Sequence, residues 1–176
     1  MEKKRLKANV APLISHYLPN LAQPAQLQIL DLACGGGRNG LWFAQQGANV
    51  TFIDKDISNL PKLPPHCHAL AYDLEDGSAP ALPVHEFDII LVFNYLHRPL
   101  FEQIKHCVKP EGLLIYETFT TEQAKVGRPK NPAFLLQADE LLTQFDEFDI
   151  LHYFEGNVGC EDEPIYKAQF IGQKRA

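Results

Sequence analysis

The run Ile29-Leu30-Asp31-Leu32-Ala33-Cys34-Gly35-Gly36-Gly37-Arg38-Asn39-Gly40 constrains the fold more than any other part of the chain. An apolar strand ends near an acid, and the chain then turns through three glycines into a helix. Glycines in such a turn let backbone N–H groups approach a ligand with no Cβ in the way. Asp31 adds a fixed negative charge at the strand end. Together they suit a ligand that carries both polar groups and a positive charge.

Around this run, strand-like and helix-like segments alternate, which predicts an α/β fold with a parallel sheet. Gln28–Leu32 reads as the first strand, 49–53 as the second and 69–72 as a short third. Asn39 is placed to cap a helix over 40–46, and Gly47 to stop it. Phe87–Phe93 is nearly all apolar, as a buried central strand should be. A helix over 99–108 starts at Pro99, and the turn Lys109-Pro110-Glu111-Gly112 feeds a strand over 113–118. The stretch 120–132 is irregular, and 137–144 is helical. Two closing strands, 148–155 and 166–171, have no helix between them, so the sheet should finish antiparallel. The proline-rich 61–65 and the stretch 77–83 read as surface connections. Before all of this, Leu6, Val10, Leu13, Ile14 and Tyr17 recur at helical spacing, with Pro12 dividing two short pieces.

At 176 residues, one domain is expected, with a helical cap over 1–24 and a core over 25–171. Net charge is −6, which disfavours a nucleic-acid partner unless a local basic patch overrides it. The basic cluster Lys3-Lys4-Arg5-Lys7 reads as a solvated helix start. The four cysteines lie far apart with no CxxC pairing, so neither a zinc site nor a disulfide framework is expected. No apolar run approaches the ~20 residues of a membrane span. The expected setting is cytoplasmic.

Ligands of open parallel sheets sit beyond the carboxyl ends of the strands. Successive strand ends here carry Asp31 with its glycines, Asp54, Asp73, and Asn94-Tyr95. Two cofactors compete for them. Gly35-x-Gly37-x-x-Gly40 formally matches a dinucleotide fingerprint, with Asp54 where a ribose-binding acid belongs. Against a dinucleotide, Asp31 would repel the pyrophosphate, and the antiparallel ending does not suit that fold. An amine and a sulfonium have no such conflict, which favours S-adenosylmethionine.

These residues resemble the successive motifs of class I S-adenosylmethionine-dependent methyltransferases, in 29–37, Asp54, Asp73-Leu74, 87–96 and Lys109–Gly112. The family's first motif glycine is replaced by Ala33. The resemblance implies a Rossmann-like sandwich, with a mostly parallel seven-stranded sheet and an antiparallel C-terminal strand. It implies that Asp31 and Gly35, Gly36 and Gly37 hold the methionine end, with Ala33 and Asn39 in the same turn. Asp54 would take both ribose hydroxyls. Asp73 would accept from the adenine amino group, with Leu74 at the ring edge, and Ile53 and Lys55 would flank the adenosine. Phe93 or Asn94 would lie near the sulfonium. A narrower similarity, to small tellurite-resistance-like methyltransferases, rests on 94–101, Glu117-Thr118-Phe119 and 127–136. It does not make tellurite the substrate.

Methyl transfer from a sulfonium is an in-line displacement with a good, neutral leaving group, so positioning can supply most of the catalysis. A base is needed only if the acceptor must lose a proton. Candidates are His97 as base, Asn94 and Tyr95 to orient the acceptor, Arg98 and Arg128 to grip an oxyanion, and Glu117 as base or amine binder. Structural readings compete: His97-Arg98-Pro99 as a helix start, and Arg128 as a loop fixture. The Asn/Asp-Pro-Pro-aromatic signature of amino-group methylation of bases is absent. A small-molecule acceptor, an anionic one included, is expected first, a protein second and RNA third. Two other classes of protein fit this pattern: an NAD-binding dehydrogenase or sensor, and a non-catalytic S-adenosylmethionine-binding regulator or partner subunit.

Overall fold

The computed structural model describes residues 10–176; the basic cluster Lys3-Lys4-Arg5-Lys7, Leu6 and the first part of the expected cap lie outside them. Seven strands are hydrogen-bonded in the order β3-β2-β1-β4-β5-β7-β6. They are β1 (Gln28–Leu32), β2 (Asn49–Asp54), β3 (His68–Ala71), β4 (Phe87–Phe93), β5 (Val108–Phe119), β6 (Phe148–Asn157) and β7 (Tyr166–Lys174). The chain divides into two compact units. The described residues 10–81 and 87–91 form one, and 82–86 and 92–176 the other.

In the first unit, β1 pairs parallel with β2 and β2 parallel with β3. The register sets Asp31 opposite Phe52, and Asp54 opposite Ala71. The acids therefore lie toward the carboxyl ends of neighbouring strands. Ile29, Leu30, Leu32, Phe43, Val50 and Phe52 are almost wholly buried, and each such side chain contributes about 1.5–3 kcal/mol on burial. Pro12 stands at the first position of α1 (Pro12–Tyr17), where its missing N–H leaves no bond unmade.

The helix after the glycine turn, α2 (Arg38–Ala44), begins earlier than the sequence suggested. Gly37, with φ +73, is its N-cap. Asn39 is not a cap: its buried Oδ1 accepts the Ala11 N–H at 3.0 Å and ties the start of α1 to α2. Gly40 has to be glycine for a different reason. A Cβ there would lie 2.4 Å from the Phe52 ring and 2.7 Å from Asp31 Oδ2.

In the second unit, β7 runs antiparallel to both β5 and β6, the expected closing arrangement. Tyr116 pairs with Phe170 on one face of this array. There Phe145 stacks within 5.4–5.8 Å of Phe101, Phe148 and Phe170. Helices α3 (Phe101–Cys107) and α5 (Glu140–Gln144) carry Phe101, Ile104 and Leu141 into the core. The pairs Glu117–Gln169 and Phe119–Lys167 occupy the alternate register positions and so point to the opposite face.

Several boundaries moved for local reasons. Pro99 is the second residue of a 3-10 turn, Arg98–Leu100, that precedes α3. The turn expected at Lys109–Gly112 lies instead within β5, which already begins at Val108; Glu111 there takes φ +62, and pairing with β7 starts at Leu113. The helix expected from 137 starts at Glu140, whose own carboxylate accepts the Gln137 N–H. The irregular 120–132 contains a short helix, α4 (Gln123–Val126), in a loop whose ends meet at a Thr120–Leu136 bridge.

Candidate cofactor and acceptor sites

The cofactor candidates fall in the first unit, save Phe93 and Asn94, and the turn is held from both sides. Asp54 Oδ2 accepts the Gly35 N–H at 2.8 Å, and Asp54 Oδ1 the Asp56 N–H at 3.0 Å. Asp31 Oδ2 accepts the Gly40 N–H at 2.9 Å. The chain reverses through three residues with positive φ, Ala33, Gly35 and Gly37. Ala33 thus adopts, at φ +53, the conformation that the family's glycine would take freely. A non-glycine residue there costs about 1–2 kcal/mol. Gly35 and Gly36 are exposed, so this backbone is open to a ligand.

Asp31 itself is only 3% exposed. Burial pushes its carboxyl up to about 7, the Gly40 N–H pulls it down, and the charge of Asp54 pushes it further up. Asp31 therefore acts on the turn from below, through its bond to α2 and its charge. The same surroundings affect Cys34. Burial, then Asp31 and Asp54, push its thiol up to about 12, so it stays protonated and unreactive. Asp73, half-buried after β3, spends one oxygen on the Glu75 N–H, and Leu74 is half-buried beside it. The Tyr72 N–H bonds the Asp54 carbonyl at 3.0 Å and brings the two strand ends together. Lys55 is exposed, whereas Ile53 is buried in the core.

The acceptor-side candidates fall in the second unit. Phe93 is buried at the end of β4, and Asn94 follows it, exposed, with φ +55. The Asn94 N–H bonds the Glu117 carbonyl at 2.8 Å. Tyr95 is half-buried, and its carbonyl accepts the Tyr116 hydroxyl. The half-buried His97 leads into the 3-10 turn through its backbone, its carbonyl accepting the Leu100 N–H.

Two candidates are corrected. Arg98 does not present a free fork. Its Nε and Nη2 bind both oxygens of Glu140 at 2.6 and 2.8 Å, and Nη1 and Nη2 bond the carbonyls of Ala133 and Leu135. Its guanidinium clasps the segment leading into α5. Glu117 is not a free base either. It is 5% exposed, with Oε1 3.0 Å from the Lys167 ammonium and Oε2 accepting from Gln169 at 2.8 Å.

Arg128 is exposed on the 120–132 loop, and its carbonyl accepts from the buried Gln123 side chain at 3.0 Å. Gln123 Oε1 in turn accepts the Tyr166 N–H. The sequence reading missed Lys167 and Gln169. Their i, i+2 spacing within an apolar strand, putting two polar groups on one face, was the available signal.

Residues 29–112 match the family model described as a methyltransferase domain. A ubiquinone biosynthesis O-methyltransferase of Cereibacter sphaeroides is 34% identical over 101 residues, covering 52% of this chain and 41% of that one. The chain spans about half the length or less of the curated relatives it matches. A crystal structure of a SAM-dependent methyltransferase from Methanosarcina mazei aligns with TM-score 0.66 at 17% identity, over 95% of this chain and 99% of that one. TehB from Haemophilus influenzae aligns with TM-score 0.64 at 18% identity, over 92% and 66%. At these identities the structures establish the fold, a seven-stranded class I methyltransferase sheet, and not a narrower group. Family match and fold together support S-adenosylmethionine as cofactor. Among the described residues, no helix is long and apolar enough to cross a membrane.

Proposed function

We propose that this protein transfers the methyl group of S-adenosylmethionine to a small acceptor by in-line displacement. The observation that carries the reading is the bond between Asp54 and the Gly35 N–H. It joins the acid of one strand end to the glycine turn of the next. A ribose beside them would meet a carboxylate already oriented, with lone pairs to spare.

In this reading Gly35, Gly36 and Gly37 receive the methionine end with backbone N–H groups, and Asp31 holds that turn in place. Asp54 takes the ribose hydroxyls, Asp73 the adenine amino group, and Leu74 and Lys55 flank the base and sugar. The family resemblance carries Phe93 and Asn94 to the methyl-donor end. Bound S-adenosylmethionine supplies an electrophilic methyl on a positive sulfur, and the chain's residues bind, orient and exclude water. Arg128 remains a candidate to hold an anionic acceptor. A small molecule ranks first as acceptor and a protein second, the net charge of −6 counting against RNA. The similarity to tellurite-resistance-like enzymes and the O-methyltransferase names of the relatives bear on the acceptor only as leads. A cytoplasmic setting goes with this reading.

Calorimetry with S-adenosylhomocysteine tests it. The wild type should bind, and Asp54→Ala should weaken binding at least a hundredfold, while His97→Ala spares it. Binding of a nicotinamide dinucleotide in place of S-adenosylhomocysteine would overturn the proposal, and normal binding by Asp54→Ala would overturn the ribose assignment.

A further inference from the structure

Lys167 lies across from Phe119 in the β5–β7 register, one alternate position from Glu117. Its ammonium is 2.6 Å from Asn94 Oδ1, 3.0 Å from Glu117 Oε1 and 4.9 Å from the centre of the Phe119 ring. The side chains of Lys167 and Glu117 are 10% and 7% exposed. An ammonium can only donate. The Asn94 amide must therefore face Lys167 with its oxygen, which turns its two N–H donors the other way. The backbone of Asn94 is pinned as well, by its N–H to the Glu117 carbonyl. Asn94 is exposed, and its Nδ2 has no hydrogen-bond partner among the described residues. The outcome is a fixed, outward-facing donor pair.

We propose that Asn94 donates a hydrogen bond to the methyl acceptor, that Lys167 is the positioning residue that orients it, and that the acceptor atom is an anionic oxygen. This rests on the methyl-transfer reading, in which the residue after β4 stands at the methyl-donor end. An amine nucleophile would need an acceptor for its own N–H, and the one oxygen of Asn94 is already taken. An oxyanion fits the donors. The amide holds one lone pair and leaves another to attack. That pair forms the C–O bond as the C–S bond breaks, and the C–S electrons stay on sulfur. The sulfonium becomes a neutral thioether, the oxyanion a neutral ether or ester, and no proton moves. Because Lys167 cancels the charge of Glu117, the cluster does not repel the anion. The chemistry admits a carboxylate or a phenolate.

The test follows the Asn94 side-chain amide by nitrogen-edited NMR, with and without S-adenosylhomocysteine. Loss of the signal in Asn94→Asp assigns it, and aspartate tolerates the same backbone conformation. Benzoate, 4-nitrophenolate and benzylamine are the probes. At least one oxyanion should move the resonance and bind at least tenfold more weakly to Asn94→Asp. Benzylamine should leave the resonance in place, and the oxyanion that moves it more identifies the acceptor type. Lys167→Arg should keep the response. The charge-neutral pair Glu117→Gln/Lys167→Met, checked for folding by circular dichroism, should lose it. An equal response to benzylamine, no response to either oxyanion, or unchanged oxyanion binding in Asn94→Asp overturns the proposal. A wild type that fails to bind S-adenosylhomocysteine overturns the methyl-transfer reading instead, whatever the Asn94 resonance does.

Discussion

The two units treat charge in opposite ways. In the first, Asp31, Asp54 and Asp73 accept backbone N–H groups, those of Gly40, Gly35 and Asp56, and Glu75. In the second, side chains answer one another: Arg98 with Glu140, and Lys167 with Glu117. A carboxylate held by peptide groups keeps its charge available to a ligand. A buried ion pair spends its charge within the fold and fixes geometry instead. In the first unit Asp54 and Asp73 can thus present charge, while the buried Asp31, its carboxyl raised to about 7, holds the turn; in the second unit the paired charges orient neighbouring groups.

The largest expected effect tests the second half of that contrast. Lys167→Met should destabilise the protein by about 3–5 kcal/mol in chemical denaturation, because it leaves Glu117 buried and unpaired. Adding Glu117→Gln should recover most of the loss. A double variant no more stable than the single one would show that the pair does not act as a unit.

Next comes Asp31, on the order of 4 kcal/mol. Its folded carboxyl is raised from 3.8 to about 7. Between those values the folded state keeps a proton that the unfolded state has lost. Stability from this group is therefore full below 3.8, falls as pH rises, and is gone above about 7. The stability difference between wild type and Asp31→Asn, measured by unfolding of the free protein, should change across that window. Parallel pH dependence in both would place the burial cost elsewhere.

The smallest effect concerns Arg98. Arg98→Lys keeps the charge but loses the two-pronged contact with Glu140 and the carbonyl bonds, at about 1–2 kcal/mol. Hydrogen exchange should rise over 132–140 and stay unchanged in β1 and β2. An equal rise in both regions would mean that Arg98 supports more than the segment it clasps.

The same contrast explains what could be read from the sequence. The strands Gln28–Leu32 and Phe87–Phe93 matched residue for residue, since continuous burial on both faces leaves an unbroken apolar run. That Asp31, Asp54 and the glycines lie together was legible because their partners are backbone groups close along the chain or on the adjacent strand. Arg98 and Glu117 were misread because their partners lie far along the chain, at Glu140 and at Lys167 and Gln169. Either residue looks the same in sequence whether its charge is free or spent. Asn39 failed for the same reason, its oxygen being taken by Ala11.

The bridge between Thr120 and Leu136 has a consequence for how such a protein diversifies. The Thr121 N–H bonds the Leu136 carbonyl at 3.0 Å and the Leu136 N–H bonds the Phe119 carbonyl at 2.9 Å, so the loop leaves and rejoins the sheet at one point. Doubling the length of a flexible loop costs only about 0.6 kcal/mol in closure entropy. Segments of different length and composition can be exchanged at that neck while β5 keeps its register. Variation can then accumulate in the loop at little cost to the stability of the scaffold.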